Sequence, residues 1–225
     1  MKDRIGLAFL MIFLFGCGEN QTGPSRYDYM YLDYKITAEE GDDIACLFQY
    51  RKGGPEGEAI AIPAPGNVVL DGVTLEPDSA GFSGIYYEQY LDADSSQGEH
   101  QVIFTTPDKR KYTEKFTFER FDVEDFPEEI PRRPFSIRLK NMPEGKSKVR
   151  LLLIDTAFSN NDVINMVDVD NGELQITDRM LRQLKSGPIS MEIYREEERP
   201  LKESTKTGGK IFISYGLQRD FELLE

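Results

Sequence analysis

The chain has 225 residues, 40 acidic against 27 basic side chains, one histidine, two cysteines, no tryptophan and a formal net charge of −13. That balance argues against a nucleic-acid surface, which needs Lys and Arg to neutralise phosphates, and the single histidine argues against a histidine-based metal site. The length suits one large domain or two small ones.

The chain opens with Lys2-Asp3-Arg4, an apolar run from Ile5 to Phe15, then Gly16 and Cys17. A bilayer-spanning helix takes about 20 apolar residues, so this run is too short to cross. A basic start, a short apolar core and a small residue before the cut make a secretory signal peptide over residues 1–16. Leu14-Phe15-Gly16-Cys17 resembles the lipobox of bacterial lipoproteins. The resemblance implies a diacylglycerol on the Cys17 sulfur and an acyl chain, such as palmitate, on its freed amine. Each buried CH₂ contributes about 0.8 kcal/mol and one chain alone anchors marginally, so three chains hold firmly. Cleavage before Cys17 leaves the charge negative, so the lipid rather than the protein surface is the expected membrane contact. Residues 17–25 are polar, with Gly and Pro, and read as a flexible tether reaching at most about 30 Å. The expected location is the envelope of a Gram-negative bacterium, at the outer membrane in preference to the inner.

Residues 26–120 carry short alternating segments separated by turn residues. Tyr27, Tyr29 and Tyr31 alternate, and the phase then slips to Leu32, Tyr34 and Ile36, which predicts a bulge or a change of strand partner. Strands follow at Ile44 to Tyr50, Ala59 to Ile62 and Asn67 to Leu70, and Asp71-Gly72 is a two-residue hairpin signal. Ile85 to Leu91 is an aromatic-rich strand, and His100 to Phe104 with Tyr112 to Phe118 forms a last hairpin. This spacing predicts a β-sandwich and resembles the bacterial immunoglobulin-like domains of cell-surface proteins, without the Cys-Trp-Cys core of antibody domains. Cys46 lies at an inward strand position and reads as a small buried hydrophobe, since Cys17 is taken by lipid.

Residues 121–134, with Pro127, Pro131 and Pro134, read as a semi-rigid charged linker. Residues 135–225 repeat the β character and predict a second sandwich with one short helix. Its strands begin at Phe135, Val149, Val163 and Leu174, with Asn171-Gly172 as a hairpin turn. Thr177-Asp178 caps a helix from Arg179 to Lys185, which Gly187-Pro188 stops. Ile189 to Ile193 is a strand, Glu196 to Gly209 a long charged loop, and Lys210 to Tyr215 and Leu217 to Leu223 close the sheet. The fold class is therefore all-β, two immunoglobulin-like β-sandwich domains in tandem.

Catalytic signals are poor. Gly81-Phe82-Ser83-Gly84 lacks the spacing and the strand-to-helix context of a nucleophile elbow and reads as a turn. Asp92, Asp94 and Ser96 offer oxygens at alternate positions, a weak calcium candidate that departs from the EF-hand spacing. Tyr27, Tyr29, Tyr31, Tyr86, Tyr87 and Tyr90 are candidates for an aromatic binding face; tyrosine is equally a good strand residue. No cofactor is implied. The expected role is non-catalytic binding, adhesion or an accessory part in a membrane-associated complex, with a protein partner at the same membrane and no nucleic acid. One alternative is a glycan-capturing surface lipoprotein serving an outer-membrane transporter. Another is an enzyme with paired carboxylates, one of them with a raised pKa.

Overall fold

The computed structural model describes residues 25–81, 84–155 and 162–225. Cys17 and the signal segment lie outside the described residues, as does the middle of Gly81–Gly84. The described chain is almost wholly β. The first half holds β1 (Met30–Glu39), β2 (Ile44–Lys52), β3 (Asn67–Leu70), β4 (Val73–Leu75), β5 (Pro77–Ala80), β6 (Gly84–Leu91), β7 (Gly98–Thr105) and β8 (Lys111–Phe118). Two short strands follow, β9 (Asp122–Glu124) and β10 (Glu129–Ile130). The second half holds β11 (Phe135–Lys140), β12 (Lys146–Asp155), β13 (Val163–Asp170), β14 (Glu173–Ile176), the helix α1 (Asp178–Leu181), β15 (Gly187–Pro200) and β16 (Gly209–Leu223).

In the first half, β4-β3-β7-β8 form one sheet, facing β5-β6-β2-β1-β16-β15 of the long sheet. Alternation decides the core. Leu32, Tyr34 and Ile36 of β1 and Cys46, Phe48 and Tyr50 of β2 point inward and are buried, as are Val102 and Phe104 of β7 opposite. The Tyr50 and Phe104 rings meet with centroids 4.5 Å apart, and Tyr34 stands edge-on to Phe48 at 5.0 Å. Lacking tryptophan, this core is filled by tyrosine and phenylalanine, and the buried hydroxyls need partners. Tyr34 and Tyr50 share a contact of 3.4 Å, and Tyr87 accepts from the Ile62 N–H at 2.8 Å.

The predicted phase slip has a different cause. Residues Arg26–Tyr29 form a 3₁₀ turn capped by Ser25, and β1 runs unbroken from Met30 with even-numbered residues inward. Tyr27 and Tyr29 therefore belong to a turn and only Tyr31 to a strand. Ala59–Ile62 makes one isolated bridge, Ala59 to Arg51, instead of a strand. Asp71-Gly72 and Asn171-Gly172 both take the positive φ their hairpins require (48° and 86°, 49° and 80°).

The charged stretch after Glu196 is the main departure. β15 continues to Pro200, and β15 pairs with β16 along fourteen registered positions. One end of this hairpin pairs with β12, Ile189–Tyr194 against Asp155–Arg150. At its other end, Gly209–Gly216 run parallel to Leu32–Glu39 of β1. The C-terminal hairpin thus serves both halves of the chain. The segment between the halves lays down β9 on β11 and β10 on β16.

In the second half, the inward residues of β11, β12, β14, β15 and β16 (Ile137, Leu151, Leu174, Met191 and Phe221 among them) are buried on one face of a single ladder. With no second sheet opposite among the described residues, the ladder encloses its own apolar face. α1 plugs it with Leu181, and its Thr177 cap accepts from the Met180 N–H.

The free edge of β8 is closed by side chains. Glu203 accepts from the Thr113 N–H at 2.7 Å, and Arg199 donates to the Lys115 carbonyl at 3.0 Å. The buried Glu114 carboxylate accepts from Arg199 and from the Lys202 N–H, each at 2.7 Å.

Candidate functional site

The face of the long sheet turned away from the first-half core is covered by no described element. Ladder registers place one row of side chains across five strands: Tyr90 beside Ala45, Ala45 beside Thr37, Thr37 beside Ser214, Ser214 beside Glu196. Three small residues in the middle of the row leave a trough. The next row on one side carries Lys35 and Phe212, and the next on the other carries Glu39, Gly216, Tyr194 and Arg150. The trough encloses about 740 Å³, and Asp42 and Asp43 of the β1–β2 turn border it.

Its walls are built differently. Tyr90 is 60% exposed, and its hydroxyl donates to Glu88 at 2.9 Å. Opposite, the Tyr194 ring lies against Gly216. A Cβ on Gly216 would fall 2.4 Å from that ring, so only glycine allows this approach. Arg150 covers the other side of Tyr194 with its guanidinium 4.4 Å from the ring centroid, and donates to Glu196 at 3.0 and 2.7 Å. The Tyr194 hydroxyl donates to Glu192 at 2.9 Å. Burial, reinforced by that bond and by the Glu192 and Glu39 charges, pushes the Tyr194 phenol up to about 12. Tyr194 is therefore a neutral, fixed wall at any physiological pH. Glu196 raises the affinity of Arg150 for its proton, so Arg150 stays charged. The trough offers open aromatic surface, carboxylate oxygens and small-residue floor space: the means of holding a ligand, with no nucleophile–base pair among the residues described above.

The predicted tyrosine face is divided by the structure. Tyr27 and Tyr87 are core residues, and Tyr29 lies exposed in the 3₁₀ turn with Lys206 above its ring. Tyr31, Tyr86 and Tyr90 share the outer face, and of these only Tyr90 borders the trough. Tyr194, Arg150 and Glu196 escaped the sequence reading because Glu196 onward looked like a loop. The signal was there: Tyr194, Glu196 and Glu198 take the outward positions that alternate with the inward Ile189, Met191 and Ile193.

Asp92, Asp94 and Ser96 are each engaged separately. Asp92 accepts from the Ser95 N–H and hydroxyl at 2.8 and 2.7 Å, which holds its carboxyl below the usual range. Asp94 pairs with Arg120 at 2.8 Å, and the Ser96 carbonyl meets His100 Nε2 at 2.9 Å. Among the described residues no group of three or more His, Cys, Asp or Glu is placed to hold a metal ion. His100 is buried, stacked on Phe116, with its Nδ1 2.7 Å from Asp71. It ties the β3–β4 turn to the loop before β7.

No family model and no curated protein matches the chain. Among solved structures, the chain is similar to a tetra-tandem repeat in the extending region of a large adhesion protein (11% identity, 84% of this chain and 49% of that one, TM-score 0.24). It thus spans about half the length of that fragment. It is also similar to DIP-gamma IG1+IG2 (10% identity, 87% and 95%, TM-score 0.24). A third is the Bacteroides ovatus mixed-linkage glucan utilization locus SGBP-B in complex with a mixed-linkage heptasaccharide (12%, 77% and 53%, TM-score 0.20). At these scores the likenesses carry no argument about this chain's ligand or role.

Proposed function

We propose that this chain is a lipid-anchored protein of the bacterial cell envelope with a non-catalytic binding role, and that the outer-face trough is where it holds its ligand. The observation that carries the binding role is the trough itself: about 740 Å³ of small-residue floor between an open Tyr90 ring and a fixed Tyr194–Arg150–Glu196 wall. A sheet face with no partner layer ordinarily carries long polar side chains across its middle; here Ala45, Thr37, Ser214 and Gly216 occupy it. The membrane attachment rests on the Leu14–Cys17 resemblance, and the short tether keeps the trough near the bilayer. The anchor is tested by Cys17→Ser, which releases the protein from the membrane fraction; continued membrane retention without lipid overturns it.

The open Tyr90 ring beside Asp42 and Asp43 favours a second, finer reading, capture of a glycan. Titration of soluble oligosaccharides against tyrosine fluorescence tests it. The reading requires a saturable response in the native chain that Tyr90→Ala abolishes, and a response insensitive to Tyr90 contradicts it.

A further inference from the structure

β11 has an edge that its neighbour leaves open. β9 pairs with it for three residues only: Asp122 opposite Lys140, Val123 opposite Leu139, Glu124 opposite Arg138. The chain then turns away at Asp125, whose φ is 43°, and continues through Pro127 and Pro131. Between the departing segment and β11 lies a gap of about 510 Å³, lined on its apolar side by Phe126, Ile130, Phe135 and Ile137.

The hydrogen-bonding direction along β11 follows from one bond. The Leu139 N–H donates to the Gly172 carbonyl on the β14 side at 2.7 Å. Antiparallel residues alternate in the side they bond to, so Ile137 and Phe135 also face β14. Arg138 and Ser136 face the other way. Arg138 meets β9, while the N–H and C=O of Ser136 face the gap with no strand opposite among the described residues. Such an edge is a template for one more strand. One strand residue fills about 160 Å³, from a rise of about 3.3 Å, a strand spacing of about 4.8 Å and a layer spacing of about 10 Å. The gap therefore holds about three residues.

The side-chain preference is written in β9 itself. It sets acidic residues opposite Lys140 and Arg138 on the solvent face and buries Val123 between them. An incoming strand extends that pattern. Its residue opposite Ser136 shares the solvent face with Arg138, and its flanking residues share the inward face with Ile137. Arg138 and Arg133 both border the gap, and neither makes an ion pair within the described residues, whereas Glu124 is taken by Lys140 at 3.3 Å. Asp125 and Glu129 border the gap as well, from the connector and not from β11.

We propose that this gap is a peptide site: it takes an extended segment of a partner protein, antiparallel to β11, with an acidic residue opposite Ser136 between two apolar ones. The site stands apart from the trough and does not depend on it.

The test is anisotropy of a fluorescein-labelled, end-blocked peptide TVEVEVT titrated with the full chain. Expected are saturable binding with a dissociation constant below about 1 mM and at least tenfold weaker binding of TVKVKVT. Ser136→Pro, which removes the edge donor and is tolerated on an edge, and Arg138→Glu each weaken binding at least tenfold. Because a protein variant can lose its fold, TVEVEVT N-methylated at both glutamates is the independent control and must lose binding to the unaltered chain. No saturation, equal affinity for the lysine peptide, or indifference to N-methylation overturns the proposal.

Discussion

Burial at single positions sets two measurable properties. Cys46 is wholly inside the first-half core, and burial, with the Asp71 charge adding, pushes its thiol from 9.0 up to about 12. In the Cys17→Ser chain, a thiol reagent at pH 8 should find nothing until denaturant is added and then one thiol. A reactive thiol in the folded state would show that the core is open there. The same shift has a pH consequence. A thiol whose folded pKa exceeds its unfolded value contributes stability that is fully present below pH 9 and lost as pH rises toward 12. Tyr34 and Tyr50, raised from 10.0 by burial, act in the same direction. The melting temperature should therefore fall above pH 9, and a flat alkaline profile would contradict the buried assignment. Cys46 was legible from alternation alone. Gly216 was not, because its role depends on a ring from the neighbouring strand. Gly216→Ala forces the Tyr194 ring aside at a cost of about 1–3 kcal/mol, and the Tyr194 phenol should fall from about 12 toward the ordinary 10.0, read by NMR of ring-labelled tyrosine. An unmoved titration would show that the ring does not rest there.

At the scale of elements, turn chemistry and alternation were readable wherever the partner was local. The Asp71-Gly72 and Asn171-Gly172 hairpins and the Thr177 cap follow from the residues that form them. β9, β10 and the outer half of β15 were not readable. They are short or highly charged, and what makes them strands is a ladder with residues far along the chain. The run Glu196–Arg199 illustrates this. Its charges look like a solvated loop, yet Arg199 reaches across to Glu114 and to the Lys115 carbonyl and closes the β8 edge. Removing one partner of a buried ion pair strands the other charge, so Arg199→Ala should cost about 3 kcal/mol in urea unfolding. A change within about 0.5 kcal/mol would mean that the edge is held by other contacts.

For the whole molecule, the all-β class and the tandem of two halves were legible from strand spacing. How the halves are joined was not, because a parallel pairing of β1 with β16 leaves no local mark. It has a consequence for folding. Residues 26–134 alone lack Gly209–Gly216, so the inward row of β1 loses its neighbours Ile211, Ile213 and Tyr215. That fragment should remain unfolded by circular dichroism, while the chain from residue 26 to 225 melts in one transition; two separate transitions would contradict the shared hairpin. The trough depends on the same pairing, since β2 and β1 supply one part of its floor and β16 the rest. The most direct test of its role is a photo-crosslinking amino acid placed at Thr37 in cells, compared with one at the exposed Thr117 on the opposite sheet. A binding site in the trough predicts a defined adduct from position 37, lost when Tyr90→Ala is combined with it, and none of that adduct from position 117. No adduct at 37, or the same adduct from both positions, would contradict it.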